Sequence, residues 1–325
     1  MYSLIRSLLF QLDAESAHEF TAAQMARLQE IPIALSLIRR VCRPRRDFRQ
    51  LWGITFSTPI GIAAGFDKNA LLMPFLAALG FGFLEVGTVT LHAQPGNPKP
   101  RLFRDPQQRA LINRLGFNND GADAVAERLQ RFDRRVPVFV NIGKNRDVPL
   151  DDAPNAYAQC YLRVGRWADG AVLNLSSPNT PGLRELQRPE HLIKVLELVR
   201  AMREGMPFSR PILVKIAPDL DSPLLSEICD VCSRLADGMV CTNTTITSGG
   251  GLSGKPLFAR STEILREVRA RVGPDYPLIG VGGVFSAADA KAKLDAGANL
   301  VQVYTGFTYE GPLLPSRLAR ELANS

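Results

Sequence analysis

A dense polar turn follows one of the apolar segments of this chain, in the stretch NLSSPNTPGL from Asn174 to Leu183. It contains two serines, and a serine nucleophile normally has a nearby base, usually histidine, that accepts its proton. The histidines of the chain are His18, His92 and His191, and none lies in this stretch. Either the serines only shape the loop, or one of them works in a way that the hydrolase mechanism does not describe.

Similar polar clusters end the other apolar segments, in the stretches AAGFDKN, GTVT, NIGKN, KIAPD, TNTT, GVGG and YTG. Turn formation explains one or two asparagines at such positions, but not all of Asn141, Asn174, Asn179 and Asn243. Amides and hydroxyls suit the edges of a flat heterocycle, whereas a metal site needs clustered His, Cys or carboxylate side chains. We therefore predict a small-molecule site without a metal.

Two turns and two lysines refine this prediction. The turns Gly280–Gly283 and Tyr304–Gly306 favour a ligand with a phosphate, because backbone N–H groups at such turns bind phosphate. Lys68 stands at a strand end, and Lys215 lies within a strand, where its burial requires an anion or an electron-rich ring. A Schiff-base role for Lys215 is conceivable, but the surrounding amides argue against it.

Eight short apolar segments must position these clusters. Helical patterns lie between them; one, PEHLIKVLELVRAMREG, has Pro189 near its start and Gly205 just past its end. Alternating strands and helices indicate a parallel sheet, and eight repeats indicate a closed barrel. The predicted fold is α/β, a (β/α)8 TIM barrel with a small N-terminal helical extension. The predicted strands begin at Ile60, Phe83, Val138, Gly170, Ile212, Gly238, Pro277 and Leu300.

The segment that precedes the barrel has a different pattern. SLIRSLLFQL and SAHEFTAAQMARLQ indicate amphipathic helices, the second opening with a capping box of Ser16 and Glu19, and IPIALSLIRRV is a third apolar stretch. These helices either close the floor of the barrel or lie in a membrane surface. We predict two units, an N-terminal amphipathic helical segment over residues 1–45 for membrane access and a barrel over residues 46–325.

The charge of the chain limits the classes of partner that it can bind, and its cysteine content indicates the redox compartment. The net charge is +7, and an arginine-rich run without nucleic-acid motifs favours lipid or solvent over nucleic acid. The odd, scattered cysteines indicate a reducing compartment, and Cys229 and Cys232 are predicted to pack in a core. No apolar run of about twenty residues is present, so no membrane span is predicted. The arginine-rich run contains Arg39, Arg40, Arg43, Arg45, Arg46 and Arg49.

Ordered motifs along almost the whole chain resemble one family. They include FQLDAESAHEF, PIGIAAGFDKNA, EVGTVT, QPGNPKPRLFR, INRLGFNNDG, NIGKN, NLSSPNTPGLRELQ, VKIAPDL, TNTT, GGLSGKPL, STEI, GVGG and LVQVYTGF. The chain resembles the dihydroorotate dehydrogenases of the membrane-associated, quinone-dependent class, class 2. The resemblance implies one FMN per chain, oxidation of dihydroorotate to orotate in pyrimidine biosynthesis, and a membrane quinone as final electron acceptor.

The resemblance also answers the question about the serines. It implies that Ser177 is the base that takes the proton from C5 of dihydroorotate while C6 gives a hydride to the flavin. The soluble class has cysteine there, so Ser177 itself favours the quinone-linked class. Thr180 and Phe117 match positions expected to shape the proton relay.

The remaining functional residues are carried over position by position. The resemblance implies that the following residues bind substrate: Lys68, Asn113, Arg114, Leu115, Gly116, Phe117, Asn174, Asn179, Asn243 and Thr244. Those implied for FMN are Ala64, Gly65, Lys68, Thr88, Asn141, Asn174, Lys215, Thr242, Gly254, Gly283, Tyr304 and Thr305. The quinone side is implied to contain His18, Arg104 and Tyr304.

One departure from the family pattern concerns the segment ITSG between TNTT and GGLSG, where similar proteins have a longer insertion.

We expect the enzyme at the cytoplasmic face of the cell (inner) membrane, bound peripherally. Two alternatives remain at this point. One is an FMN barrel oxidoreductase that uses fumarate or NAD, and the other is a barrel that binds a phosphate-bearing ligand without catalysis.

Overall fold

The computed structural model describes residues 2–44 and 49–324. Its strands are β1 Arg49–Leu51, β2 Ile54–Phe56, β3 Ile60–Ile62, β4 Phe83–Val89, β5 Leu102–Asp105, β6 Ala110–Asn113, β7 Val138–Ile142, β8 Gly170–Asn174, β9 Ile212–Ile216, β10 Gly238–Cys241, β11 Thr245–Thr247, β12 Gly250–Gly254, β13 Leu278–Val281 and β14 Leu300–Val303. Its α-helices are α1 Tyr2–Leu9, α2 Ala14–Gln29, α3 Pro32–Val41, α4 Met73–Ala78, α5 Ala122–Arg131, α6 Ala153–Val164, α7 Pro189–Glu204, α8 Ser222–Leu235, α9 Phe258–Val272, α10 Ala287–Asp295, α11 Thr305–Glu310 and α12 Leu314–Leu322. Short 3₁₀ turns occur at Gly165–Trp167, Leu183–Gln187 and Lys255–Leu257.

The predicted barrel is confirmed. Strands β3, β4, β7, β8, β9, β10, β13 and β14 pair in that order and in parallel, and β14 pairs back to β3 to close the barrel. Each predicted apolar segment supplies one of these strands. Helix α7 begins at Pro189 and is followed by Gly205, as its sequence predicts. The predicted unit boundary between residues 45 and 46 lies outside the described residues, as do Arg45 and Arg46.

Side chains inside the barrel change from apolar to polar along several of its strands. Phe83, Phe139 and Leu213 form an apolar layer near the floor. Residues two positions later on a strand point to the same side, so the next inward side chains are Glu85, Asn141 and Lys215, all buried. The strands thus carry a dry lower core and a polar upper layer directly below the mouth.

The N-terminal helices, defined as α1, α2 and α3, attach to the mouth side of the barrel. The Tyr2 hydroxyl donates to the Thr308 carbonyl at 2.6 Å, and the Gln29 amide donates to the Leu71 carbonyl at 2.8 Å. Both acceptors follow barrel strands at their C-terminal ends. The alternative that these helices close the floor is wrong, because Trp52 and Phe56 of the β1–β2 hairpin pack there against Phe139.

The predicted capping box of Ser16 and Glu19 is also wrong. Helix α2 begins at Ala14, and the Asp13 carboxylate caps it by accepting from the backbone N–H groups of Glu15 and Ser16 at 3.1 and 3.0 Å. Asp13 stands earlier in the chain and is a strong N-cap residue, so it starts the helix before Ser16 can.

The N-terminal helices expose large apolar side chains. Ile33 is 83% exposed and Leu37 is 61% exposed, and both lie on α3, whose last turn contains Arg39 and Arg40. Within the described residues, no helix is both long enough and apolar enough to cross a bilayer. The other exposed large apolar residues of this region are Leu4, Ile5, Leu8, Leu12, Phe20, Leu28, Ile31 and Val41.

A second sheet, which the sequence analysis did not predict, covers the mouth. Its antiparallel strands lie in the order β11, β12, β6, β5 and join residues near position 110 to residues near position 250. The short ITSG segment forms part of the turn between β11 and β12, where the Thr247 hydroxyl donates to the Gly250 carbonyl at 2.8 Å. The segment is therefore a tight hairpin at the edge of this lid sheet.

Candidate active site

A cavity of about 1060 Å³, a volume that includes space open to solvent, lies between the C-terminal ends of the barrel strands and the lid sheet. This is the end at which TIM barrels place their active sites. The lining contains every predicted site residue except Arg114, Asn141, His18 and Arg104. The lid contributes Leu102, Leu111 and Ser253, which the sequence analysis missed because their pairing is long-range.

The two serines of the turn after β8 have different surroundings. Ser176 is fully buried; its hydroxyl donates to Asn174 Oδ1 at 3.2 Å and accepts from Asn243 Nδ2 at 3.0 Å. Ser177 lines the cavity, and its Oγ accepts a hydrogen bond from the backbone N–H of Asn179 at 3.2 Å. Ser176 therefore holds the amides in place, while Ser177 presents its hydroxyl to a ligand.

The asparagines form one connected network. Asn243 Nδ2 donates to Asn174 Oδ1 at 3.1 Å, and Asn174 Nδ2 donates to Asn141 Oδ1 at 3.1 Å. The Thr88 hydroxyl also donates to Asn141 Oδ1, at 2.5 Å. Asn141 is completely buried and lies one layer below the cavity wall. It acts on the site through Asn174 and Thr88, whose orientations its amide holds.

Below this network is a buried carboxylate that the sequence analysis did not single out. Glu85 of β4 is fully buried and lies 3.3 Å from Lys215 Nζ. It also accepts from Asn141 Nδ2 at 2.6 Å and from Gln302 Nε2. A buried ammonium needs a counter-charge, and Glu85 supplies it across the barrel interior, from a strand separated from β9 by β7 and β8. On their own strands, Glu85 and Gln302 point into the barrel in the same polar layer as Lys215. The alternation of inward and outward side chains along a strand could therefore have identified them.

The Lys68 amine stands at the cavity wall and donates to the Gly65 carbonyl at 2.9 Å. The pKa of Lys68 is lowered to about 8, chiefly by burial and also by the Arg101 guanidinium, while Glu15 opposes the shift. An anionic ligand beside the amine would favour the charged form. The Lys68 amine can therefore bind an anionic group of a ligand in the cavity.

The predicted substrate loop 113–117 divides into two parts. Asn113, Leu115, Gly116 and Phe117 line the cavity, and Asn113 Oδ1 accepts from Asn179 Nδ2 at 2.9 Å. The Arg114 side chain instead donates to the Pro100 carbonyl at 3.1 and 3.2 Å. Arg114 therefore holds the loop from outside the cavity.

The two predicted phosphate turns lie side by side at the cavity edge. Gly283 has a φ of +75°, and a Cβ added there would lie 2.5 Å from the Phe258 Cβ. A Cβ on Gly306 would lie 2.0 Å from the Val284 carbonyl oxygen. Only glycine fits at these positions, so backbone N–H groups can approach a ligand without a side chain between them.

The residues predicted for the quinone side lie in two places. The His18 ring and the Tyr304 ring both contact Phe66, at centroid distances of 5.2 and 6.0 Å. Burial, together with the Lys68 charge, lowers the pKa of His18 to about 4, so His18 is neutral at pH 7. Arg104 instead binds the carbonyls of Leu9 and Leu12 and covers the Phe10 ring at 4.5 Å.

A second cavity lies between α2 and the lid sheet, and Arg104 lines it. Leu102 lines both cavities, so the two are separated by one side chain at that point. Arg101 ties α2 to this wall through the Glu15 carboxylate at 2.8 Å. The second cavity therefore lies beside the main cavity, next to the start of α2.

The cysteines play no part in the cavity wall. Cys229 and Cys232 are buried on α8 as free thiols, which confirms their predicted place in a core. Burial raises the pKa of the Cys229 thiol to about 11 and that of Cys232 well above its usual value. Both are therefore protonated and unreactive at neutral pH.

Comparisons with known proteins agree with this architecture. A family model described as "Dihydroorotate dehydrogenase" matches residues 48–325. The chain is 45% identical to "Dihydroorotate dehydrogenase (quinone)" of Paraburkholderia phymatum over 99% of this chain and 98% of that protein. It is 47% identical to the protein of the same name from Gloeobacter violaceus, over 99% and 94% of the two chains. A crystal structure of Eimeria tenella DHODH in complex with ferulenol superposes with a TM-score of 0.86 at 36% identity, covering 96% of this chain and 91% of that chain.

Proposed function

The chain belongs to the dihydroorotate dehydrogenase family, and from that premise we propose that it oxidises dihydroorotate to orotate in pyrimidine biosynthesis, with FMN in the main cavity and a membrane quinone as final electron acceptor. The observation that carries the proposal is the polar layer at the barrel mouth. It places Ser177, Lys68 and a connected set of amides around one cavity.

The cavity residues fit a flavin mononucleotide. Gln302 is buried at the cavity wall, and its Oε1 has no hydrogen-bond partner among the described residues. A buried acceptor of this kind needs a donor, and the N–H edge of a heterocycle supplies one. Lys215 provides a positive charge in the same wall, and the glycine turns near Gly283 and Gly306 suit a phosphate.

The residues that would hold FMN come from nearly every strand end. When bound, FMN supplies a two-electron acceptor for a hydride from the substrate. The Lys215 charge then stabilises the negative charge that accumulates on a reduced flavin ring. Asn141 stays below the wall and orients Thr88 and Asn174. The cofactor contacts are Ala64, Gly65, Lys68, Thr88, Asn174, Lys215, Thr242, Gly254, Gly283, Tyr304 and Thr305.

Ser177 takes the C5 proton of dihydroorotate. A neutral serine hydroxyl is a weak base in water, so the step relies on loss of the hydride, which makes the neighbouring C–H more acidic, and on Ser177 passing its own hydroxyl proton to a relay as it accepts the C5 proton. The Asn179 N–H holds Ser177 Oγ in position at 3.2 Å. Thr180 follows Ser177 by three residues, and Phe117 lines the same cavity as Ser177; both are buried. They shape the path by which the proton leaves.

The substrate is held by its charge and by its amide edges. Lys68 binds the carboxylate, because its amine lies at the cavity wall, whereas the other lysine of the wall, Lys215, is paired with Glu85. Asn113, Asn179 and Asn243 hydrogen-bond to the pyrimidine edges, and Thr244 and the backbone of Leu115–Phe117 close the site. Arg114 supports the loop through the Pro100 carbonyl.

The N-terminal helices give the quinone access to this site. Their exposed apolar side chains insert into the lipid at the cytoplasmic face of the cell (inner) membrane, and Arg39 and Arg40 contact anionic headgroups. The quinone enters through the second cavity, which Arg104 lines. It reaches the flavin site beside His18 and Tyr304, which both contact Phe66. A soluble acceptor such as fumarate or NAD would not require this exposed apolar surface.

An anaerobic titration tests the proposal. Dihydroorotate added to the purified yellow protein should bleach the visible flavin band, and a quinone analogue should restore it, whereas fumarate and NAD should not. A flavin that dihydroorotate leaves oxidised would refute the substrate assignment. Recovery with fumarate or NAD alone would refute the quinone assignment.

A further inference from the structure

Lys293 of α10 is a fully buried lysine that the reaction described above does not use. Its Nζ donates to the Ser261 hydroxyl at 2.5 Å and lies 5.1 Å from the centroid of the Phe258 ring. Within residues 2–44 and 49–324, no carboxylate lies at salt-bridge distance from it. A buried ammonium without a counter-ion is costly, so its position needs a compensating anion or dipole.

The Ser261 hydroxyl connects Lys293 to the glycine turn after β13. Its Oγ lies 3.2 Å from the Gly282 carbonyl oxygen and 3.1 Å from the Phe258 carbonyl oxygen, both of which can accept its proton. A Cβ added to Gly282 would lie 2.7 Å from Ser261 Oγ, and one added to Gly283 would lie 2.5 Å from the Phe258 Cβ. Lys293, Ser261 and Phe258 therefore form the layer directly behind this turn.

The orientation of the peptide between Gly282 and Gly283 follows from these contacts. The C=O and N–H groups of a planar trans peptide point in opposite directions. Because the Gly282 carbonyl faces Ser261 behind the turn, the Gly283 N–H faces the opposite side, where Gly283 lines the main cavity. The ammonium, the hydroxyl and the peptide thus align their dipoles toward the cavity.

We propose that Lys293 and Ser261 form the rear half of a phosphate cradle, in which they position and polarise the Gly282–Gly283 peptide so that the Gly283 N–H binds the phosphate of the flavin. Lys293 is a positioning residue, since it acts through Ser261 without touching the ligand. The inference rests on the proposed binding of FMN, and it adds a charge that selects a phosphorylated flavin over one without phosphate.

The charge of Lys293 depends on its surroundings. Its pKa is lowered to about 7, chiefly by burial and also by Arg266 of α9, while Cys241 of β10 and Asp289 of α10 oppose the shift. The Cys241 thiol is neutral because burial raises its pKa, and the Asp289 carboxylate already accepts from the N–H groups of Phe285 and Ser286. A bound phosphate dianion is the group that would restore the charged form of Lys293.

The test compares FMN with riboflavin, which has the same ring system and no phosphate. The full-length chain, freed of flavin, is titrated with each compound, and the dissociation constants are read from flavin fluorescence. In Lys293→Met, FMN should bind about tenfold more weakly while riboflavin binding stays the same. Lys291→Met is the matched control, because Lys291 lies on the same helix but is exposed and pairs with Asp295. It should leave both constants unchanged.

Two further measurements keep the inference testable if Lys293→Met does not fold. Ser261→Ala should weaken FMN selectively by a smaller factor, about threefold. In the unmodified chain, preference for FMN over riboflavin should fall between pH 7 and 9, because Lys293 loses its proton while the phosphate is already a dianion. Equal loss of both ligands in Ser261→Ala, or a flat pH dependence, would overturn the inference. An unmodified chain that binds neither flavin would overturn the proposed function as well.

Discussion

The barrel mouth and the N-terminal helices lie side by side and differ in which groups they bury. At the mouth, polar side chains such as Asn141 and Glu85 are completely buried and hydrogen-bonded to one another. On α3, apolar side chains such as Ile33 face outward and are 83% exposed. The mouth pairs most of its buried polar groups and leaves Gln302 Oε1 for a polar ligand, whereas the exposed side chains of the helices require an apolar partner that residues 2–44 and 49–324 do not supply.

The proposed function gives each region one half-reaction. In this proposal, oxidation of dihydroorotate depends on the mouth, and electron transfer to the quinone depends on the N-terminal helices. The contacts between the regions are specific and include Arg101 with Glu15, Tyr2 with the Thr308 carbonyl and Gln29 with the Leu71 carbonyl. Substitutions can therefore damage one half-reaction while leaving the other intact, provided that they avoid these contacts.

The largest expected effect is on Ser177. Ser177→Ala should reduce the rate of flavin reduction by dihydroorotate by about 10²- to 10⁴-fold, because it removes the base. The FMN content should not change. Stopped-flow absorbance under anaerobic conditions measures the rate. Ser176→Ala is the control, and its smaller loss should reflect only the loosened Asn174 and Asn243 amides. Comparable losses in both variants would contradict the assignment.

Lys68 gives the next effect, on substrate binding and its pH dependence. Burial lowers the pKa of Lys68 to about 8, and only the protonated amine binds the substrate carboxylate, so kcat/KM should fall as pH rises above about 8. Lys68→Arg should remove this decline, because arginine stays protonated. Lys68→Ala should lower kcat/KM by about 100-fold at pH 7. An unchanged alkaline limb in Lys68→Arg would show that another group titrates there.

A smaller, selective effect is expected at the N-terminal helices. Ile33→Glu combined with Leu37→Glu should weaken binding to anionic lipid vesicles by more than about tenfold. Each substitution removes an apolar side chain whose burial in lipid contributes about 1.5–3 kcal/mol. Quinone turnover on vesicles should fall in parallel. Gln159→Glu combined with Ala201→Glu adds the same charge on exposed positions of α6 and α7 and should leave vesicle binding unchanged. Equal loss in the two variants would indicate a general charge effect.

The smallest effect concerns the buried pair below the cavity. Glu85→Gln removes the counter-charge of Lys215, so a reduced, negatively charged flavin should be favoured and its reduction potential should rise by roughly 30 mV. Lys215→Met should shift the potential in the opposite direction. Spectroelectrochemical titration measures both. A potential that does not move in either variant would restrict the pair to a structural role.

Much of the architecture follows from local sequence. Strand periodicity and the turn residues predicted the closed barrel and the position of Lys215 within it, and the family resemblance singled out Ser177, which lines the cavity. The same periodicity contained Glu85 and Gln302, which were overlooked because each lies inside an apolar run. At α2, two candidate caps compete, and Asp13 rather than Ser16 satisfies the first N–H groups.

The remaining features depend on contacts between distant parts of the chain. The lid sheet pairs Ala110–Asn113 with Gly250–Gly254, and no local pattern specifies such a partner. The outward orientation of Arg114 depends on the Pro100 carbonyl, which the lid strands bring close. The attachment of the N-terminal helices to the mouth rather than the floor depends likewise on long-range contacts such as Arg101 with Glu15.

The most direct test of the two-region account measures both half-reactions separately on two variants, Ser177→Ala and the Ile33→Glu, Leu37→Glu pair. Stopped-flow absorbance follows flavin reduction by dihydroorotate and then flavin reoxidation by quinone in vesicles. The account predicts that the first variant loses only reduction and that the second loses only reoxidation. Loss of both half-reactions in either variant, with FMN still bound, would contradict the division of function between the mouth and the helices.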